Sequence, residues 1–424
     1  MRKAQTIFIG FMAAVTLVGC GKSGGGAGEN KTADKPPAMD NSPVTLKIIV
    51  PPYADKNFVQ YVEAPVKQKY PHITFEKIAS NDPEKVLVSG EKPDLFILGQ
   101  DKLPQMKDLG ILDNMDTLIR SYQMDTSRFV PMYLEQLKKA TGETYLSALP
   151  IFTGFSMLYY NKDIFDRFGV GYPKDGITWE EATELAKKLT RQEQGVQYRG
   201  LMSVSGPQIP AGQLELRFFD DKLNPAVNND GWKGVLEMMA NIYKIPGNEQ
   251  IVFDNAATDQ FVKEQRVAMF AAANLFDQLN AAQGLNWDMV TYPVHKQAPK
   301  NGIEALPIAI GVTSMSKHKE AAFQVVATAV SDEVQMEMSK NTVITVLQDK
   351  KIEAAFGSNY TFLKDKNVQA VFKLNRVNGY NNYGAAGIMI TKLNEIVAGK
   401  DVNTALREAD ELLVKHMEKL NLKK

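Results

Sequence analysis

Between residues 44 and 98 the chain alternates strand and helix patterns in an order that few architectures accommodate. Val44, Leu46, Ile48 and Val50 alternate as one face of a strand does, and Pro51-Pro52 ends the run, since proline has no N–H for a sheet ladder. A helix follows, with Asp55 placed to cap it and Phe58, Val62 and Val66 on one stripe; Pro71 ends it. Ile73, Phe75 and Ile78 mark a second strand. Asp82-Pro83-Glu84 then reads as N-cap, N1 proline and acidic first turn, with Gly90 as the stop. Leu95-Phe96-Ile97-Leu98 is an unbroken apolar run, as in parallel strands buried on both faces. Strand, helix, strand, helix, strand predicts a doubly wound α/β lobe. Ligands of such sheets bind beyond the carboxyl ends of strands. That singles out Tyr53 after the first strand, and Gln100 and Asp101 after the third. The alternative for Gln100 and Asp101 is that they are solvated loop residues.

At 424 residues the chain exceeds one ordinary domain, so two large cores are expected. Tyr145 to Leu149 reads as a short apolar strand ended by Pro150, and after a break at Gly154 a second strand spans Ser156 to Tyr160. A short amphipathic helix follows, with Ile164, Phe165 and Phe168 on one side and Gly169 at its end. Two strands with a kinked, proline-bearing join suit a chain that leaves one sheet and enters another.

The Leu-Tyr-Tyr-Asn-Lys-Asp run at 158–163, with its Phe-Gly-Val tail, resembles the first crossing between lobes in bacterial extracellular solute-binding proteins of family 1, the group that includes maltose-binding protein. Met157 departs from that pattern, because many members have a small residue there. The likeness covers most of residues 44–420. It implies an α/β, type II-like fold of two lobes joined by three crossovers. The first lobe would comprise residues 44–149 and 307–345, and the second 150–306 and 346–424. Leu306 to Ser314 resembles the second crossing, and Val343 to Leu347 is placed as the third.

Beyond the first crossing, Thr178-Trp179-Glu180-Glu181 is a capping box that opens a helix from Trp179 to Leu189. Trp179 packs at its first turn, with sugar stacking as the alternative. Leu201 to Val204 reads as a strand, and the Ser205 to Gln213 loop as an edge of the second lobe's site. Trp232 shares a helical stripe with Val235, Leu236, Met239 and Tyr243, which is core spacing. Val267 to Ala271 is a strand that runs on toward Phe276. The family resemblance puts a ligand-stacking aromatic near Phe276 and a turn near Asn274. The loop from Asn378 to Gly384 is polar and aromatic, and its Tyr380 and Tyr383 offer flat apolar faces with hydroxyls, which suit sugar rings. The alternative is an ordinary loop anchored by one buried tyrosine. Val402, Leu406, Ala409, Leu413, Met417 and Leu420 hold the spacing of a terminal helix.

The N-terminus addresses the protein. Arg2 and Lys3 precede an apolar stretch from Ile7 to Val18, which is too short to span a membrane and fits a signal peptide. Leu17-Val18-Gly19-Cys20 resembles the lipobox of bacterial lipoproteins, making residues 1–19 the signal peptide and Cys20 the lipidated residue. The alternative is an ordinary signal peptide with a chance cysteine. Residues 20–43, rich in Gly, Ser, Pro and charge, would form a flexible tether.

Composition excludes several classes. The 49 basic and 49 acidic residues give no argument for nucleic acid. Cys20 is the sole cysteine, so no internal disulfide forms. His72, His295, His318 and His416 lack metal-ligand spacing. No nucleophile elbow, zinc motif or dinucleotide fingerprint appears, so neither an enzyme nor a cofactor is indicated. The resemblance implies a monomeric, lipid-anchored substrate-binding component of an ABC importer on the outer side of the cell membrane. It would bind a sugar or oligosaccharide by hinge closure and dock on permease subunits. Two competing readings are a secreted lipoprotein hydrolase acting on carbohydrate and a ligand-sensing co-receptor of a membrane sensor.

Overall fold

The apolar strand Leu95–Gly99 is buried along its whole length, and a five-stranded sheet is built around it. The computed structural model describes residues 41–249, 255–379 and 384–420, all within one compact unit. Cys20, Tyr380 and Tyr383 lie outside these residues, as does the signal peptide. In chain order the first strands are β1 (Val44–Val50), β2 (Ile73–Ala79), β3 (Leu95–Gly99), β4 (Leu149–Phe152), β5 (Ser156–Asn161) and β6 (Arg191–Glu193). There follow β7 (Val196–Ser203), β8 (Val267–Ala273), β9 (Trp287–Thr291), β10 (Asn301–Glu304), β11 (Ile308–Val312) and β12 (Asn375–Val377).

The first sheet has the order β2-β1-β3-β11-β4, with β1 parallel to β2 and β3, and β11 antiparallel to β3 and β4. The second has the order β6-β7-β8-β5-β9, with β7 parallel to β8, and β5 antiparallel to β8 and β9. Each sheet therefore takes in, as an interior strand, the strand that has just crossed from the other lobe: β5 in one, β11 in the other. A short β10–β12 pair stands apart from both. The architecture is the expected one, two α/β lobes.

Local chemistry accounts for many boundaries. β1 stops at Val50, and Pro52 opens a single tight turn. Asp55 lies inside the following helix, whose cap position is Ala54, so it is a first-turn acid rather than the cap. Phe58, Val62 and Val66 pack in the first lobe's core with Leu46, Ile48 and Ile97. Thr178 and Glu181 form the capping box of the helix Trp179–Leu189. Asn161 caps the helix Lys162–Phe168, and Gly169 ends it in the left-handed region at φ 65°, where a side chain would be strained. Trp232 is fully buried, with its ring edge-on to Phe218 at 5.0 Å and its indole N–H donating to the Arg217 carbonyl at 3.0 Å.

Two local readings are corrected. Pro150 lies inside a strand, since β4 runs from Leu149 to Phe152. β4 is the sheet's edge and pairs only with β11, and an edge strand tolerates a residue that cannot donate. The segment read as a loop from Ser205 to Gln213 contains a helix, Gln208–Gln213.

The chain crosses between lobes from β4 to β5, from β10 to β11, and once more near residue 350. The first crossing is held against the others at Thr153. Its backbone N–H donates to the Ile344 carbonyl at 3.4 Å, and its hydroxyl to the Leu306 carbonyl at 3.5 Å. The third crossing runs through residues 344–356: Ile344 lies in the second lobe's core, Val346, Leu347 and Ile352 in the first lobe's, and Phe356 and Leu363 in the second's again. The buried amide of Gln335 engages this segment: its oxygen accepts from Thr345 Oγ1 at 2.9 Å and the Val346 N–H at 3.1 Å, while its nitrogen donates to the Ile151 carbonyl at 2.9 Å. That holds the 345–347 segment on the first lobe.

Candidate functional site

Parallel strands end together, so β1 and β3 deliver their following residues to one edge of the first sheet. β1 feeds the turn Pro52–Ala54, which carries Tyr53, and β3 feeds the turn Gln100–Lys102. A Cβ on Gly99 would meet the Asp101 carboxylate, so the exposed Asp101 side chain would have to move aside for a larger residue there. Tyr53 leaves its ring 60% exposed and tucks its hydroxyl against the strand end. Burial of that hydroxyl raises its pKa, the Gly99 N–H opposes the rise, and the Asp101 carboxylate adds to it. Asp101 is exposed and 3.4 Å from the Lys102 ammonium.

Gln100 differs from both. It is only 7% exposed, and its backbone N–H donates to the Pro307 carbonyl at 3.2 Å. Its side-chain oxygen Oε1 has no hydrogen-bond partner among the described residues. A buried, unsatisfied acceptor costs about 1–3 kcal/mol.

On the second lobe, β7 and β8 end at Ser203 and Ala273. Asn274 is exposed, and its Oδ1 accepts from the Phe276 N–H at 2.9 Å, turning the chain into the helix Phe276–Ala281. Phe276 points the other way. It is 3% exposed and lies among Phe155, Tyr159, Trp287, Phe356 and Phe362, with ring centroids 5.7–6.4 Å apart. The stacking role expected for Phe276 is therefore corrected to a core role: five neighbouring rings cover the faces a ligand would need.

The third contribution comes from the segment after β12. Asn378 Oδ1 accepts from Gln136 Nε2 at 3.0 Å, and Asn378 Nδ2 donates to Glu215 Oε1 at 2.7 Å. Gln136 belongs to the first-lobe helix Pro131–Thr141, and Glu215 follows the second-lobe helix Gln208–Gln213. Gly379 then passes so close that a Cβ would lie 2.6 Å from Leu306 Cδ2, 2.7 Å from the Ala305 carbonyl and 3.1 Å from Gln100 Nε2. Gly379 thus lies beside Gln100, one residue before Tyr380 in the chain. Leu306, 42% exposed in the second crossing, adds an apolar surface there.

The structure brings Tyr53, Gln100 and Asp101 together and sets Asn274 on the opposing strand end. Sequence reading missed Gln136 and Glu215, and named Asn378 only as the start of the tyrosine-bearing segment and Leu306 only as the start of the second crossing. Gln136 carried a signal, since it stands on the same helix face as Tyr133 and Leu137, both buried; a lone amide on an apolar stripe needs a partner. Leu306 carried none. Among the described residues no group of three or more His, Cys, Asp or Glu could hold a metal ion, and no helix is long and apolar enough to cross a membrane.

The family model for bacterial extracellular solute-binding proteins matches residues 54–336. The chain is 28% identical over 167 residues to the mannitol-binding protein of Pseudomonas aeruginosa, a match spanning 38% of this chain and 37% of that protein. Its fold is similar to that of the sugar-binding protein MalE from Xanthomonas citri, with a TM-score of 0.71 and 18% identity over 89% of this chain and 98% of that one. An ABC substrate-binding protein from Listeria monocytogenes in complex with cycloalternan gives a TM-score of 0.70 and 21% identity, over 88% and 99% of the two chains. An ABC transporter solute-binding protein from Agrobacterium vitis with bound D-mannitol gives 0.62 and 18%, over 89% and 99%.

Proposed function

We propose that this chain, which belongs to the bacterial extracellular solute-binding proteins, is the substrate-binding component of an ABC importer and holds a sugar or polyol between its lobes. The family is one of binding proteins rather than enzymes, so the solute leaves unchanged. Gln100 carries the reading of the site. Its side-chain oxygen has no partner among the described residues, its amide nitrogen and Leu306 both border Gly379, and Tyr53 stands exposed on the turn after the neighbouring strand. A polyhydroxylated ligand matches that pairing, with hydroxyl donors for the amide oxygen and C–H faces for the apolar surfaces. Asp101 and Asn274 add polar groups from the two lobes, and Tyr380 and Tyr383, which follow Gly379 in the chain, add rings. Closure of the lobes over the solute is the domain motion that such a two-lobe arrangement permits. Residues 20–43 tether the body to Cys20, whose acyl chains hold the protein on the outer side of the cell membrane, where the closed form meets the permease subunits.

A thermal-shift series with D-mannitol, maltose and mannotriose tests the reading. A ligand bound only by the folded form stabilises it by about 2.7 kcal/mol at a hundredfold excess over Kd. Gln100→Leu removes the unsatisfied acceptor, so this variant melts no lower than the parent without solute and shows a reduced shift with it. An unchanged melting temperature with all three probes overturns the ligand assignment.

A further inference from the structure

Lys56 and Asp277 belong to opposite lobes, and the Lys56 ammonium lies 3.0 Å from Asp277 Oδ2. Each stands three residues beyond a site-edge residue: Lys56 after Tyr53 and Asp277 after Asn274. The pair therefore joins the two elements that leave the facing strand ends. Neither side chain is held by packing within its own lobe, since they are 71% and 74% exposed. The neighbouring acid on the Lys56 helix, Asp55, is engaged by Lys77 within the first lobe, which leaves the Lys56 charge directed at the second lobe. The Lys56 pKa is raised, chiefly by its hydrogen bond to Asp277, with the charge of Asp277 and the nearby Tyr360 hydroxyl contributing and partial burial opposing.

We propose that Lys56 and Asp277 form an electrostatic latch across the lobe edges, an ion pair made when the lobes are closed and broken when they open. The latch biases the solute-free protein toward closure and makes the closed-to-open ratio depend on ionic strength. It acts whichever solute the protein carries. An exposed pair contributes little, and a small contribution suits a latch that must release on each opening. Screening removes it, because the Debye length falls from about 30 Å at roughly 10 mM salt to about 4 Å at roughly 500 mM.

Single-molecule energy transfer without solute tests the latch, using the full chain with Cys20→Ser so that dyes attach only to Glu84→Cys and Asn280→Cys on opposite lobes. Lys56→Gln and Asp277→Asn should each lower the closed-to-open ratio by about two- to fivefold at low salt. Raising the salt should lower the parent's ratio by a similar factor and leave the neutral variants unmoved. The swap Lys56→Asp with Asp277→Lys should restore the parent's ratio and its salt response. Neutral variants that match the parent at every salt concentration, or a parent that stays open throughout, overturn the proposal. Because no solute is present, this outcome is separate from that of the thermal-shift series.

Discussion

Gln136 Nε2 donates to Asn378 Oδ1 at 3.0 Å, so a buried amide of the first lobe holds the segment just before Tyr380. Asn378→Ala should leave Gln136 without that partner and cost about 1–3 kcal/mol of stability, read as a shift in the urea midpoint. Asn378→Asp keeps an acceptor for Gln136 and sets a carboxylate against Glu215, so it should be destabilised mainly by repulsion that added salt relieves. Parent-like midpoints for both variants would show that the bridge does not contribute to stability.

Tyr53 and Trp232 should separate by assay. Tyr53→Ala removes a largely exposed ring, so the solute-free melting temperature should hold while affinity falls by about 1–3 kcal/mol, as for stacked aromatic contacts elsewhere. Trp232→Ala empties a fully buried position and should lose about 3–5 kcal/mol of stability, while the molecules that remain folded bind like the parent. Reversed outcomes would place the site on the wrong residues.

Glu408 predicts an acid-sensitive step. Lys392 and Lys400 each donate to its Oε2 at 2.7 Å, and these bonds hold its pKa at about 2, below the ordinary 4.5. A carboxyl depressed in the folded state contributes stability above its unfolded pKa and loses it as pH falls through the folded one. Unfolding midpoints should therefore fall between about pH 4.5 and about pH 2. Glu408→Gln should flatten that part of the profile and start from a lower midpoint at neutral pH. Superimposable profiles would rule the network out as a source of stability.

The proposed membrane anchor rests on Cys20. Cys20→Ala should release the protein from the membrane fraction or leave its precursor unprocessed. A fully processed Cys20→Ala protein that still sediments with membranes would sink the assignment.

The position of Tyr53, Gln100 and Asp101 at one sheet edge was legible, because a parallel sheet sends its loops to one edge and that rule needs only the strand order within a short stretch. Phe276 was misread for the opposite reason. Nothing local tells whether the residue after a buried strand turns outward or joins a core, and the rings that cover Phe276 come from Phe155, Trp287, Phe356 and Phe362, far apart in the chain.

What the sequence determined by itself is what short-range chemistry decides: the stop at Pro51-Pro52, the Thr178 capping box, the left-handed Gly169 and the stripes that bury Trp232 and Leu413. Each depends on dihedral limits, capping hydrogen bonds or helical period, all acting within a few residues. Tertiary structure decided where distant pieces meet. Pro150 is tolerated because β4 became an edge, residues 345–347 stay on the first lobe because Gln335 reaches them, and Asn378 is useful only because Gln136 and Glu215 converge on it. Such pairings form between groups whose separation along the chain carries no periodic or compositional mark, so only the folded arrangement selects them.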